Sequence, residues 1–518
     1  MSDYDEEIMI LEKMKKRRQC DNQNEDRLSD LPDNVLLHIL SSLNTKQVVQ
    51  TCVLSKRWKH LWKFISTLML HCSTFSTVEG FATFVSKILT LRDTSIAPHA
   101  LDLNHCGEIE YELLIMVLDY VFSHNAQLQE LEISVNRIVP IMSCVSSCHA
   151  LTSRKLSIYR KGSSLGHNHT PALFRGSSRS YNRQPVLSPK SLNLPLLTSL
   201  DLTNFAFRDG KSGCVEPFSV FTKLNSLVIR SCMVFDAQML SISSETLVNL
   251  AIHRPLEIMN LTIQNNSSGF AEIKLITPNL CTFNFTGDLI NKICGSGLAY
   301  VKQVNIDVSR QFSASAAHGL VLFSWLHDFA NVESLTITST TLQILSLVPD
   351  LLEIKLSSLC NLKSLEVELI PLHDGSLSIS IENAMLNKAA AKSRKAVVKL
   401  RKAFKARLEP PAIPDGIVDF LRQNSPSAEV NIKTDYPNCF NLKQVEESIK
   451  SAKIVKHHSR FVVPGISSTA PAEKEPLSAI YSSKNCLRMT IEDDKSSNED
   501  KVEKHQPNTN SPLLDIEQ

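Results

Sequence analysis

The side chains that carry out covalent or metal chemistry are present in this sequence, but not at the spacings such chemistry needs. There are 16 histidines and 13 cysteines. The densest group is Cys144, Cys148, His149, His167 and His169, whose spacing fits no established tetrahedral zinc pattern. No phosphate-cradling GxxxxGK or GxGxxG, no GxSxG nucleophile turn and no HExxH occurs. Glycine is scarce, 15 in 518 residues, against a usual share of about 7%. No catalytic residue, metal site or cofactor is expected, and the chain reads as a protein that works by contact.

Charge narrows the contacts. Fifty-five basic residues against 53 acidic ones leave +2, so whole-chain charge argues neither for nor against nucleic acid. Two basic stretches stand out: KMKKRR (Lys13, Lys15, Lys16, Arg17, Arg18) and residues 384–408. The first reads as a solvated charge run or a nuclear import signal. The near-continuous apolar run at 113–122 is too short to span a bilayer and contains Asp119. The odd number of cysteines follows no framework spacing. Several, among them Cys52, Cys106 and Cys232, sit in apolar segments where a thiol acts as a small hydrophobe. A reducing compartment, nucleus and/or cytoplasm, is expected.

The elements that must present a contact surface start at residue 26. Ser29 or Asp30 caps a helix with Pro32 in its first turn, where the missing N–H costs nothing. Leu31, Val35, Leu36, Ile39, Leu40 and Leu43 then form one apolar stripe. Asn44 or Thr45 starts a second helix carrying Val48, Val49, Cys52 and Val53. Ser55 caps a third, with Trp58, Leu61 and Trp62 on one side. Three such short helices are marginal alone, so part of the stripe is left for a partner.

The stretch LPDNVLLHILSSL…VVQTCVLSKRWKHLW is similar to the F-box motif in its Leu-Pro start, its Ile-Leu pair, its Cys-x-Leu-Ser-Lys-Arg-Trp segment and its final Leu-Trp. The resemblance implies docking onto a Skp-type adaptor and, through it, a cullin. It also implies an adaptor-binding set: Leu31, Pro32, Val35, Ile39, Leu40, Leu43, Val53, Leu54, Trp58 and Trp62. Trp58 and Trp62 would brace the third helix.

From about residue 67 short L-x-x-L-x-L units recur, their alternation putting the leucines on one face of a strand. Their markers are Leu68, Leu101, Leu131, Leu156, Leu200, Leu227, Leu250, Phe283, Val304, Leu335 and Leu365. The intervals, 21 to 44 residues, average about 30, the upper edge of the leucine-rich-repeat period. Helical return segments such as 111–125 join the strands. Stacking such units gives a curved solenoid with a strand-lined concave side. Residues between the anchors, including Asp201, Thr203, Val228, Arg230, Thr336 and Thr338, then face outward. The Ser-, Arg- and His-rich interval at 157–190 reads as an insertion loop.

Beyond Pro371 the repeats stop. Residues 384–408 carry nine Lys or Arg and no acid and form one basic amphipathic helix. It reads as a polar cap on the solenoid; membrane-surface, calmodulin-target and nucleic-acid readings stay open. Residues 409–432, a proline-bounded helix and a strand, resemble the end of the FBD-like region of plant F-box/leucine-rich-repeat proteins.

The expected fold class is α/β: a three-helix F-box, then a leucine-rich-repeat (RNI-like) solenoid, with disordered termini. The expected segments are 1–25 disordered, 26–66 F-box, 67–370 solenoid, 371–448 FBD-like and 449–518 disordered. The resemblance implies a non-catalytic substrate-recognition subunit of a Skp-cullin-F-box ubiquitin ligase that holds a target protein. Membrane and nucleic acid are not expected partners. A scaffold using the F-box only as an interaction element and a hormone-sensing receptor are the alternatives.

Overall fold

The computed structural model describes residues 31–456, except 94, 106–108, 125, 136–147, 159–185, 188–193, 209–212, 236, 254–256, 260–271, 290–291, 309–313, 372–374, 406–410, 437–438, 441, 443–444, 446–448 and 450–452. The expected caps Ser29 and Asp30, the KMKKRR cluster, and Cys144, His167 and His169 lie outside the described residues, as do residues 1–30 and 457–518 as a whole.

The N-terminal unit opens with the helix Asp33–Ser41, which Pro32 immediately precedes. Asn44 caps the next helix, Thr45–Gln50, by accepting a bond from the Lys46 N–H at 2.9 Å. The third α-helix expected after Ser55 does not form. Turns run to a short 3₁₀ segment, Leu61–Phe64, with Trp58, Leu61 and Lys63 each donating three residues back, to Ser55, Trp58 and His60. Trp58 and Leu61 are still buried in a core shared with Leu36, Leu40, Val48 and Ile65. This core is continuous with that of the strands behind it, and Thr45 Oγ1 accepts a bond from the Met69 N–H at 2.9 Å.

Behind the unit runs a parallel sheet of 13 strands among the described residues, in which each strand pairs with the next one along it. All eleven marked units are strands of this sheet, from Thr67–His71 to Ser364–Glu368. Alternation builds it: side chains point to opposite faces in turn, so strands such as Ser199–Thr203 and Ser226–Arg230 bury every second residue. A chain of main-chain bonds just ahead of the strands runs through Ser66, His99, Gln129, Thr152, Thr198 and Asn225, each N–H reaching the previous carbonyl at 2.8–2.9 Å. It continues through Val248, Cys281, Lys302, Glu333 and Lys363 to Glu429 at the same distances.

The structure corrects further expectations along the chain. In Ser153–Ile158 it is Arg154, not Leu156, that lines up with Leu131 and Leu200. Arg154 is buried, and that burial pulls its guanidinium pKa down to about 9. Second, the middle return segments are strands rather than helices. Val186–Leu187, Ala206–Arg208, Met233–Phe235 and Glu257–Met259 make one additional parallel sheet. Cys214–Val215, Met239–Ser243, Glu272–Ile276 and Ile293–Cys294 make another. Helices take the return path nearer the two ends, at Val78–Leu91, Tyr111–Ser123, Ala316–Asp328 and Ser339–Leu345.

Third, the 157–190 interval is not all loop. Ser157 and Ile158 finish a strand, and Val186–Leu187 pairs with Ala206–Arg208. Fourth, the basic stretch is two helices, Gly375–Lys392 and Arg394–Lys405, and it does not cap the sheet. Glu429–Thr434 pairs directly with Ser364–Glu368, and Lys453–Lys456 adds one strand more. That last strand also corrects the expectation of disorder from residue 449.

Fifth, Thr338 does not face outward. It is buried, and its hydroxyl accepts from the Thr341 N–H at 3.3 Å to cap the helix Ser339–Leu345.

Candidate docking surface

The expected contact residues separate into two groups. Val35 (37% exposed) and Ile39 (38%) lie one turn apart on the outer side of the helix Asp33–Ser41, and Val53 (82%) and Leu54 (63%) lie open past the second helix. Pro32 is exposed too, and Leu31, Leu43 and Trp62 are half-buried against the core. Leu40 (1%) and Trp58 (6%) are inside the unit. The structure removes those two from the free surface: their side chains hold the helices together and would reach a partner only if the unit opened.

Arg57 ties the exposed group to the start of the unit, a role that apolar periodicity does not mark. Its Nε donates to Asp33 Oδ1 at 2.8 Å, its Nη2 to the same oxygen at 2.6 Å, and Nη2 also donates to the Leu31 carbonyl. The turn just after Val53 and Leu54 is thereby tied to the start of the helix bearing Val35 and Ile39. The two residues lie 24 positions apart, so no local periodicity could have flagged the pair.

Burying one Val, Leu or Ile side chain fully contributes about 1.5–3 kcal/mol. Four such side chains left exposed on one small unit can therefore contribute to association if a partner covers them.

A second surface lies on the solvent face of the long sheet. Of the outward residues named from sequence, Asp201, Thr203, Val228, Arg230 and Thr336 are half-buried there. Ion pairs cross neighbouring strands: His71 Nε2 to Asp102 at 2.6 Å, Lys155 to Glu132, and Arg230 to Asp201 at 3.3 Å. The hydrogen bond to Asp102 is the main reason the His71 pKa is raised, against the pull of burial. Towards the other end Lys433 pairs with Glu366 at 2.5 Å. Burial, then the charges of Glu366 and Asp307, raise the pKa of Glu368. Between these ends the mid-strand facing residues Ala251, Asn284, Asn305 and Thr336 are uncharged, with Asp307 the acid at the end of its strand.

Among the described residues no group of three or more His, Cys, Asp or Glu could hold a metal ion, and no helix is long and apolar enough to cross a membrane.

Comparison with known proteins agrees on the N-terminal unit. The F-box domain model matches residues 28–66. A putative F-box/FBD/LRR-repeat protein of Arabidopsis thaliana is 30% identical over 157 residues, 28% of this chain and 34% of the relative. An FBD-associated F-box protein of the same plant is 36% identical over 138 residues, 26% and 30% of the two chains. An F-box/LRR-repeat protein, also from Arabidopsis thaliana, is 24% identical over 337 residues, 62% and 80%. The match thus spans about a third of the length of the first two relatives. The chain thus carries an F-box domain at residues 28–66 and is similar over longer stretches to plant F-box/FBD/LRR-repeat proteins.

Proposed function

We propose that this chain is a substrate-recognition subunit of a Skp-cullin-F-box ubiquitin ligase. In this reading residues 26–66 dock the Skp-type adaptor, and the strands from Thr67 onward are a leucine-rich-repeat solenoid whose solvent-facing residues hold a target protein. An FBD-like region then covers 371–448. The subunit supplies proximity: fixing a target lysine beside a charged conjugating enzyme replaces diffusional encounter with a high effective concentration. It needs no nucleophile or metal of its own. Free thiols at Cys52, Cys232 and Cys281 among the described residues suit work in the nucleus or cytoplasm.

The observation that carries this reading is the set Val35, Ile39, Val53 and Leu54, apolar side chains that the helical unit leaves exposed. The test is capture of a Skp-type adaptor and its cullin by the intact chain and by the double variant Ile39→Glu/Val53→Glu. Both sites are exposed, so the variant keeps its circular dichroism and melting temperature. Loss of adaptor capture with the fold intact supports the proposal; undiminished capture sinks it.

A further inference from the structure

The helix Arg394–Lys405 lies on an excursion that the sheet does not need. Ser364–Glu368 and Glu429–Thr434 are direct neighbours, so the chain between them leaves and returns without adding a strand. The first helix of the excursion, Gly375–Lys392, is anchored: Leu377 and Ile381 are buried, and Lys388 Nζ donates to the Val348 carbonyl at 2.8 Å and to the Ser346 carbonyl. Past Ser393 the anchoring ends. Ser393 Oγ accepts from the Ala396 N–H at 3.1 Å and starts the second helix, in which no side chain is fully buried.

That helix has two unlike faces. At 3.6 residues per turn, Ala396, Val397, Leu400, Ala403 and Phe404 share one face, and all are half-buried. Arg394, Lys395, Lys399, Arg401, Lys402 and Lys405 share the other, all exposed. Val398 sits in their midst, 67% exposed. The only acid from 375 to 405 is Glu382, and among the described residues no ion pair involves any of the six cations. Like charges three and four positions apart oppose helix formation, and the helix carries no acid to offset them.

We propose that this face docks an acidic segment of a partner protein, one that places an apolar side chain on Val398 and carboxylates on the surrounding cations. An apolar centre within a charged rim is how a protein contact is built. A phosphate backbone would meet the charges and leave Val398 without a partner. A lipid surface needs the apolar face of an amphipathic helix, and here that face is already half-buried on the side away from the cations. The proposal goes beyond adaptor docking and does not depend on it.

The test uses the full chain and synthetic peptides of about 16 residues, a length that covers one helix face. One peptide is Glu- and Asp-rich with a central Leu; its twin carries Ser there. A duplex oligonucleotide and phosphatidylserine vesicles are the competing probes. The Leu peptide should bind at least about fivefold more tightly than the Ser peptide, and Val398→Ser should abolish that difference. Lys395→Gln/Lys399→Gln/Lys402→Gln, which keeps good helix formers, should weaken the Leu peptide about tenfold or more. Equal binding of the two peptides, indifference to the triple variant, or tighter binding of the duplex or the vesicles overturns the proposal. None of these outcomes bears on adaptor capture.

Discussion

Arg57 and Asp33 clasp the two ends of the F-box unit, with two guanidinium nitrogens on one carboxylate oxygen at 2.8 and 2.6 Å. Both side chains are well exposed to water, so the clasp orients more than it stabilises. Exposed ion pairs contribute about 0.2–1 kcal/mol. Arg57→Ala should therefore cost about 1 kcal/mol or less in urea unfolding, while weakening adaptor binding because the Val53–Leu54 turn loses its tether. Arg57→Lys should not restore binding, since an ammonium lacks the planar fork that holds the oxygen and the Leu31 carbonyl together.

Ile39 and Leu40 are adjacent in the chain and opposite in consequence. Leu40 is buried among the helices and Ile39 is open. Leu40→Ala should destabilise the protein by about 2–5 kcal/mol through lost burial and a cavity. Ile39→Ala should leave stability within about 0.5 kcal/mol, and should weaken adaptor binding about fivefold or more, as truncation of an interface anchor does. Paired unfolding and binding curves separate the two effects.

Gly295 is fixed by space. Its φ is 138°, and an added Cβ would lie 1.8 Å from the carbonyl oxygen of Leu275, in the neighbouring strand Glu272–Ile276. Gly295→Ala should shift the backbone of two stacked units and cost about 2 kcal/mol or more. Gly213, at φ 69° with nothing within 4 Å of where a Cβ would stand, is the control: Gly213→Ala should cost only the left-handed backbone penalty of about 1–2 kcal/mol. Thermal unfolding of the pair checks the ordering.

His71 and Asp102 bridge the first two strands at 2.6 Å. The His71 pKa is raised in the folded protein, chiefly by the hydrogen bond to Asp102. The stabilisation this provides is fully present below the unfolded value of about 6.5 and fades as pH rises through the higher folded value. Against His71→Asn, the wild type should show its largest melting-temperature advantage at about pH 5.5 and a shrinking one towards about pH 8. A gap that widens with pH would contradict the pairing.

Much of this protein is legible without its structure. Strand side chains alternate with a period of two, so a leucine at every second place declares a buried face by itself. All eleven marked units lie on that basis in one sheet. The docking motif is legible for a related reason, since its anchors and helix signals lie within about 40 residues of each other. Where the structure departs from sequence, a distant neighbour decided. Arg154 occupies an anchor place because its strand is held in register by the strands on either side. The middle return strands are two to five residues long, too short to carry a period, and exist because corresponding pieces of adjacent repeats lie side by side. Leu40 and Ile39 look alike in one dimension; the core behind them decided which is buried and which stays exposed. The clasp of Arg57 on Asp33, and the placing of the basic helix between two strands that pair without it, likewise exist only once the chain has folded, because hydrogen bonds and burial depend on distance in space and not on distance in sequence.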